Sequence, residues 1–228
     1  MAELTGTDET LLLGIDTCGP EGSVALARLS GENPEVLGET ALEGRTYSAT
    51  LIASIDELLK AHGVALSAIG YIVVVSGPGS FTGVRIGLSA AKGLAEGANL
   101  KVVAVSRLDV LARKAGLPGA ALDAHRHEVF LLANGRELLA GAPDLAAIHP
   151  VPARIAVCDD SAAVLLAQAW PGTELVGVSP PTAADAIALA IPRIQAGDFA
   201  DVLLLDGHYL RRSDAEIYRD PANRAVRK

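Results

Sequence analysis

The stretch from Tyr71 to Gly97, YIVVVSGPGSFTGVRIGLSAAKGLAEG, joins an all-apolar strand, a glycine-rich turn and an amphipathic helix with no residue to spare. A strand that is apolar on both faces needs cover above and below, so this unit belongs inside a layered α/β domain. Units of this kind often hold a phosphate, because glycines admit φ > 0 and the free amides of a first helical turn receive anions. Gly77, Gly79, Ser80, Thr82 and Gly83 are the candidate anion or nucleotide contacts. The turn is equally open to a plain structural reading, a tight strand-to-helix connection with nothing bound.

Three familiar motifs fail here letter by letter. A P-loop follows its last glycine with lysine and a hydroxyl residue, whereas Gly83 is followed by Val84 and Arg85. A dinucleotide fingerprint needs glycine at its sixth position, which counted from Gly77 is Thr82. A nucleophile elbow brackets its serine with glycines two residues away, and neither Ser76 nor Ser80 is so placed.

Around this unit the pattern predicts strands at Leu11–Ile15, Ser23–Leu29 and Val36–Leu42, then a helix over Tyr47–His62 with Leu51, Ile55 and Leu58 on one face. Ile69–Val75 is the buried strand, Thr82 the expected N-cap of the following helix, Gly97 its end, and Lys101–Val105 the next strand. Ser106 and Asp109 suggest a capping box for a helix ending near Gly116. Strands follow at Ala120–Ala124, Glu128–Ala133 and Arg136–Ala140, the last two joined by an Asn134-Gly135 turn. Arg154–Cys158 and Leu175–Val178 are further strands; Asp160 caps a helix to Trp170, and Thr182 with Asp185 caps a last helix that Pro192 should kink. The reading is a two-lobe α/β protein, lobe one over 11–106 and lobe two over 107–228, the latter ending in a basic tail.

The chain has 228 residues, half of them hydrophobic, enough to bury about 70 to 75% of its unfolded surface. A net charge of −8 argues against a free-standing nucleic-acid binder. Cys18 and Cys158 are far apart and form no C-x-x-C metal or disulfide pattern. Met1–Thr10 is polar and acidic rather than signal-like, and no run of about 18 apolar residues occurs, so the cytoplasm is the expected compartment. In the helix after the turn, Val84, Leu88 and Ala91 form a stripe, with Gly87, Ala90, Gly93 and Ala95 keeping side chains small. Gly87 and Gly93 would cost helix stability unless another helix approaches closely.

SGPGSFTGVRIGLSAAKGLAEG, the opening LLLGIDTCGPEGSVALA, the segment Asp123-Ala124-His125-Arg126-His127-Glu128-Val129-Phe130 and the late Tyr209-Leu210-Arg211 together resemble the TsaB (YeaZ) family of the tRNA threonylcarbamoyladenosine machinery. His125 departs from the arginine usual there. The resemblance implies an actin-like, ribonuclease H-like fold shared with sugar kinases and Hsp70, in two related lobes with mixed sheets covered by helices. It also implies a non-catalytic subunit without cofactor or metal, paired with the transferase TsaD, joined by the ATPase TsaE, self-pairing when alone, and touching tRNA only indirectly. Leu51, Ile55, Leu58, Val84, Leu88, Ala91 and Ala95 are then the expected partner interface, and Tyr209, Arg211 and Arg212 the expected tail contacts.

TsaD-type proteins carry H-x-x-x-H on the helix that here begins at Arg45, but no histidine precedes His62. His125 and His127 lack a third ligand at usable spacing. The alternative is an enzyme acting alone, a phosphotransferase or a glycoprotease-like metalloenzyme. Asp16 and Asp123 could be the acids of a phosphotransferase, yet no D-x-G-G-T stretch follows.

Overall fold

The computed structural model describes residues 9–31, 33–44 and 46–211. The first sheet is built from β1 (Thr10–Asp16), β2 (Glu21–Ser30), β3 (Asn33–Glu43), β4 (Ile69–Val75) and β5 (Lys101–Val105). Helix α1 (Tyr47–Ala61) precedes β4, α2 (Phe81–Ala98) lies between β4 and β5, and α3 (Arg107–Ala115) follows. The second sheet comprises β6 (Ala120–Asp123), β7 (Val129–Ala133), β8 (Arg136–Ala140), β9 (Arg154–Val157) and β10 (Glu174–Gly177). With it come α4 (Ala142–Ala147), α5 (Asp160–Ala169) and α6 (Ala183–Gln195).

The strand orders are β3-β2-β1-β4-β5 and, read from the other edge, β8-β7-β6-β9-β10. In each sheet the first strand pairs antiparallel with the second and parallel with the fourth, and the outer pairs repeat those senses. The chain therefore lays down one sheet twice. On the parallel side of the first sheet, Leu12, Leu13, Ile15, Ile72, Val73, Val74, Val102 and Val103 are fully buried, as continuous apolar runs require.

Helices α1 and α2 cover one face of the first sheet and α6 the other, while α3 lies between α6 and the second sheet and α5 packs on that sheet's far side. The apolar stripe Ala183, Ala186, Ile187, Ala190, Ile191 and Ile194 seats α6 so closely that a Cβ on Gly14 would come within 2.8 Å of the Ala183 carbonyl oxygen. Each buried isoleucine of that stripe contributes roughly 1.5–3 kcal/mol. The expected division at 106 separates the two sheets in sequence, but the first lobe also draws on α6. The reason is that the first sheet is apolar on both faces and residues 11–106 supply helices for only one.

Several boundaries differ from expectation. The N-cap of α2 is Ser80, whose Oγ accepts from the Gly83 amide, not Thr82; the helix runs past Gly97 and is closed by Asn99 at φ 55°. Asp159 rather than Asp160 caps α5. The capping box at Thr182 and Asp185 is present, and Asp185 also takes the Lys114 ammonium at 2.7 Å, tying α6 to α3. Helix α6 continues through Pro192 to Gln195. The six-residue α4 is too short for its period to show in sequence. No helix among the described residues is long and apolar enough to cross a membrane.

Candidate functional site

The two lobes face each other across a cleft of about 1300 Å³. Its walls are the β1–β2 turn, the glycine turn with the start of α2, the start of α3, the β6–β7 turn, Cys158 and Asp159 after β9, and the segment His208–Arg211.

The glycine turn owes its composition to the β1–β2 turn lying on it. A Cβ at Gly79 would overlap the Cys18 carbonyl, and one at Gly83 the Thr17 carbonyl. Backbone and side chains fasten the two turns together: the Ser80 amide donates to Cys18 O at 2.8 Å and Thr17 Oγ1 to Gly83 O at 2.7 Å. The Gly83 amide is taken by Ser80 Oγ at 3.3 Å. Two of the candidate anion-binding amides are thus already committed within the chain. Gly77, at φ 114°, accepts at its carbonyl from the Arg107 amide at 2.7 Å, and Thr82 is exposed. The small residues of α2 are explained differently from the sequence expectation: Gly87 makes room for Thr17 Oγ1, and a Cβ at Gly93 would meet no packed neighbour within 4 Å among the described residues.

The expected partner interface is placed in the core. Leu51, Ile55 and Leu58 of α1 and Val84, Leu88, Ala91 and Ala95 of α2 are each no more than 6% exposed and belong to the first lobe's hydrophobic cluster. The apolar stripe visible in sequence is the one that holds each helix to its own sheet. The outward faces are Ala49, Ile52, Ala53 and Asp56 of α1 and Ser89, Gly93 and Glu96 of α2, with Ile52 55% exposed.

Asp16, at the end of β1, is fully buried; its Oδ1 accepts the Cys18 amide at 2.8 Å. Its Oδ2 faces Arg107 Nε at 3.8 Å, an ion pair too long for a hydrogen bond, and both atoms lack any other partner among the described residues. Burial pushes the Asp16 carboxyl up from its ordinary value, and Arg107 with the Cys18 amide opposes that. Burial also raises the Cys18 thiol, with Asp16 adding to the effect, and raises Cys158 to about 11. Both thiols are therefore protonated near neutrality and poor nucleophiles. Tyr47 donates to Gly19 O at 2.9 Å and is pushed to about 12, chiefly by burial.

At the mouth of the cleft, His125, Arg126 and His127 are three consecutive residues at φ near +60°, exposed on the β6–β7 turn. His125 Nδ1 meets Asp123 Oδ2 at 2.9 Å, and no cluster of three metal-ligating side chains occurs among the described residues. The segment 208–211 straps the lobes together. The His208 amide donates to Ser76 O at 2.7 Å, its ring meets Glu137 Oε2 at 2.6 Å, and Ser106 Oγ reaches the other Glu137 oxygen. Glu137 holds His208 above the usual histidine value, against the effect of burial. Tyr209 lies 5.0 Å from the Phe81 ring and accepts from Arg85 Nε at 3.3 Å; Arg211 pairs with Glu128. Arg45 and Arg212 lie outside the described residues.

Sequence reasoning missed Arg107 and His208; Tyr209 and Arg211 were expected as tail contacts with a partner, and here they meet Phe81, Arg85 and Glu128 of the same chain. A cation two positions after an apolar strand, one turn ahead of Val110 and Leu111, signals a charge carried inward. His208 carries no comparable mark.

Two related lobes, each a mixed five-stranded sheet covered by helices around an interlobe cleft, define the actin-like, ribonuclease H-like class. The family model for TsaD, tRNA N6-adenosine threonylcarbamoyltransferase, matches residues 36–150, half of the chain. The chain belongs to that family and, within it, to the TsaB (YeaZ) branch. It is 38% identical over 125 residues to the tRNA threonylcarbamoyladenosine biosynthesis protein TsaB of Haemophilus influenzae, covering 52% of this chain and 51% of that one. The chain thus spans about half the length of the curated relatives it matches. The solved YeaZ from Pseudomonas aeruginosa aligns with 28% identity and a TM-score of 0.68 over 88% of this chain and all of that one. A second Pseudomonas aeruginosa structure, described as similar to peptidase YeaZ, gives 27% and 0.72 over 89% of this chain and all of that one.

Proposed function

We propose that this chain is a non-catalytic subunit of the machinery that attaches threonylcarbamoyl to adenosine in tRNAs reading A-starting codons, working in the cytoplasm by binding and activating a TsaD-type transferase. The observation that carries the reading is the state of Asp16. The acid at the head of the first sheet, where a phosphotransferase would hold metal and phosphate, is sealed from solvent and paired with Arg107. The lobe keeps the family's architecture with that acid turned to an internal partner. The biosynthetic role itself rests on the names of the TsaB relatives.

Docking uses the outward faces of α1 and α2, centred on Ile52 and the open surface at Gly93. An apolar side chain flanked by Ala49, Ala53 and Ser89 suits close helix packing against a related lobe. The same face serves a second copy when the transferase is absent, the ATPase TsaE joins the larger assembly, and tRNA is reached through the partner. Of the expected tail contacts, Tyr209 and Arg211 are engaged within the chain, and Arg212 with the basic residues after it is the proposed contact.

Reconstitution of tRNA modification with and without this chain tests the proposal. Modification must depend on the chain while the chain alone turns over neither ATP nor threonylcarbamoyl-adenylate. Turnover by the isolated chain would overturn the non-catalytic reading.

A further inference from the structure

We infer that the floor of the interlobe cleft binds the oxyanion head, carboxylate or phosphate, of a small organic molecule, with the Arg107 guanidinium as principal donor. The Arg107 side chain is only 7% exposed and lines the cleft. Among the described residues its Nε has no hydrogen-bond partner, its ion pair with Asp16 spans 3.8 Å, and no hydrogen bond from the guanidinium is found. A buried guanidinium carries five N–H donors, and such groups are nearly always satisfied in folded proteins. Asp16 cannot satisfy them, because one of its oxygens holds the Cys18 amide and the other is out of reach. The remaining donors have the cleft as their outlet.

The surroundings favour an anion there. Of the acids on the wall, Asp159 is taken by the Asp123 and Ala162 amides, Asp123 by His125, and Glu21 is exposed. The start of the 18-residue α2 lies on the same wall and adds the positive end of its dipole. The cleft is far larger than a bare anion, and Ile86, Leu122, Phe130 and Pro180 give it an apolar side for an organic body. Carboxylate and phosphate heads fit this chemistry equally, and the two arms of the experiment separate them. The inference is independent of the docking surface.

The full chain is titrated with sodium phosphate and, separately, with sodium acetate, at constant ionic strength against chloride. The Arg107 Nε–Hε resonance and the thermal midpoint are followed. A saturable shift of that resonance with a rise in midpoint is expected, the tighter anion naming the head group. In D16N/R107M, which removes both halves of the pair and leaves no orphaned charge, affinity should fall at least about tenfold. Should that variant not fold, R107K keeps the charge but loses the fork, and the same weakening is expected. No saturable response to either anion, or undiminished binding in the folded variant, overturns the site and leaves the gap to water.

Discussion

Asp16 and Asp123 occupy corresponding places in two copies of one sheet, and each accepts the amide of the residue two positions on, Cys18 at 2.8 Å and His125 at 2.7 Å. Their environments have diverged. Asp16 is sealed against Arg107, whereas Asp123 is partly open and paired with the exposed His125. A phosphotransferase would need both acids facing a shared metal-bound phosphate, and here Asp16 faces the Arg107 guanidinium and Asp123 the His125 ring.

Breaking the Asp16–Arg107 pair from one side should be costly. Arg107→Met leaves a buried carboxylate and is expected to lose about 3 kcal/mol in urea melts at neutral pH, with D16N/R107M recovering most of it. Burial already raises Asp16, and removing Arg107 raises it further, so the loss should shrink as pH falls and Asp16 takes a proton. A loss independent of pH would mean that Asp16 is not the group responsible.

Docking and folding are separable on α1 and α2. Ile52→Glu, at an exposed position, should keep the melting curve of the parent and abolish co-purification with a TsaD-type partner. Leu88→Glu puts a charge at a position 5% exposed and should cost roughly 3 kcal/mol or more, failing as a folded protein before it can report on docking. Co-purification unaffected by Ile52→Glu would move the interface elsewhere.

The strap is pH-sensitive with a definite sign. His208 is raised above 6.5 by Glu137, so its contribution is complete below the unfolded value and is lost as pH rises through the folded one. The stability difference between the parent and His208→Asn should therefore narrow with rising pH, and the imidazole titration by NMR should fall above 6.5. A titration at or below that value would remove the pairing from the account.

The glycines of the turn and of α2 should respond oppositely to alanine. Gly83→Ala drives a Cβ into the Thr17 carbonyl and is expected to cost at least ~2 kcal/mol. Gly93→Ala meets nothing and should gain ~0.5–1 kcal/mol from helix propensity. Equal effects in thermal melts would contradict the packing described.

The element order was legible because each strand and helix announces itself in a local period: Ile69–Val75 is continuously apolar, and Leu51, Ile55 and Leu58 mark one helical face. What those patterns could not convey was direction. A stripe reads the same whether it faces the protein's own sheet or a partner, and burial assigns it to the sheet. The glycine turn was visible, but its cause lies in the carbonyls of Thr17 and Cys18, some sixty residues earlier. The cleft floor escaped because Arg107 and Asp16 meet only after both sheets have formed.

Helix α6 has a consequence for how the protein is made. The first sheet is synthesised early, yet the layer that covers its second face is translated only after the whole second sheet. Until Ala183–Gln195 leaves the ribosome, Leu12, Val73 and Val103, on the face of Gly14 that α6 covers, belong to a half-covered sheet, a state exposed to chaperones and to aggregation. The nascent chain completes the first of these two lobes only after it has laid down the second sheet.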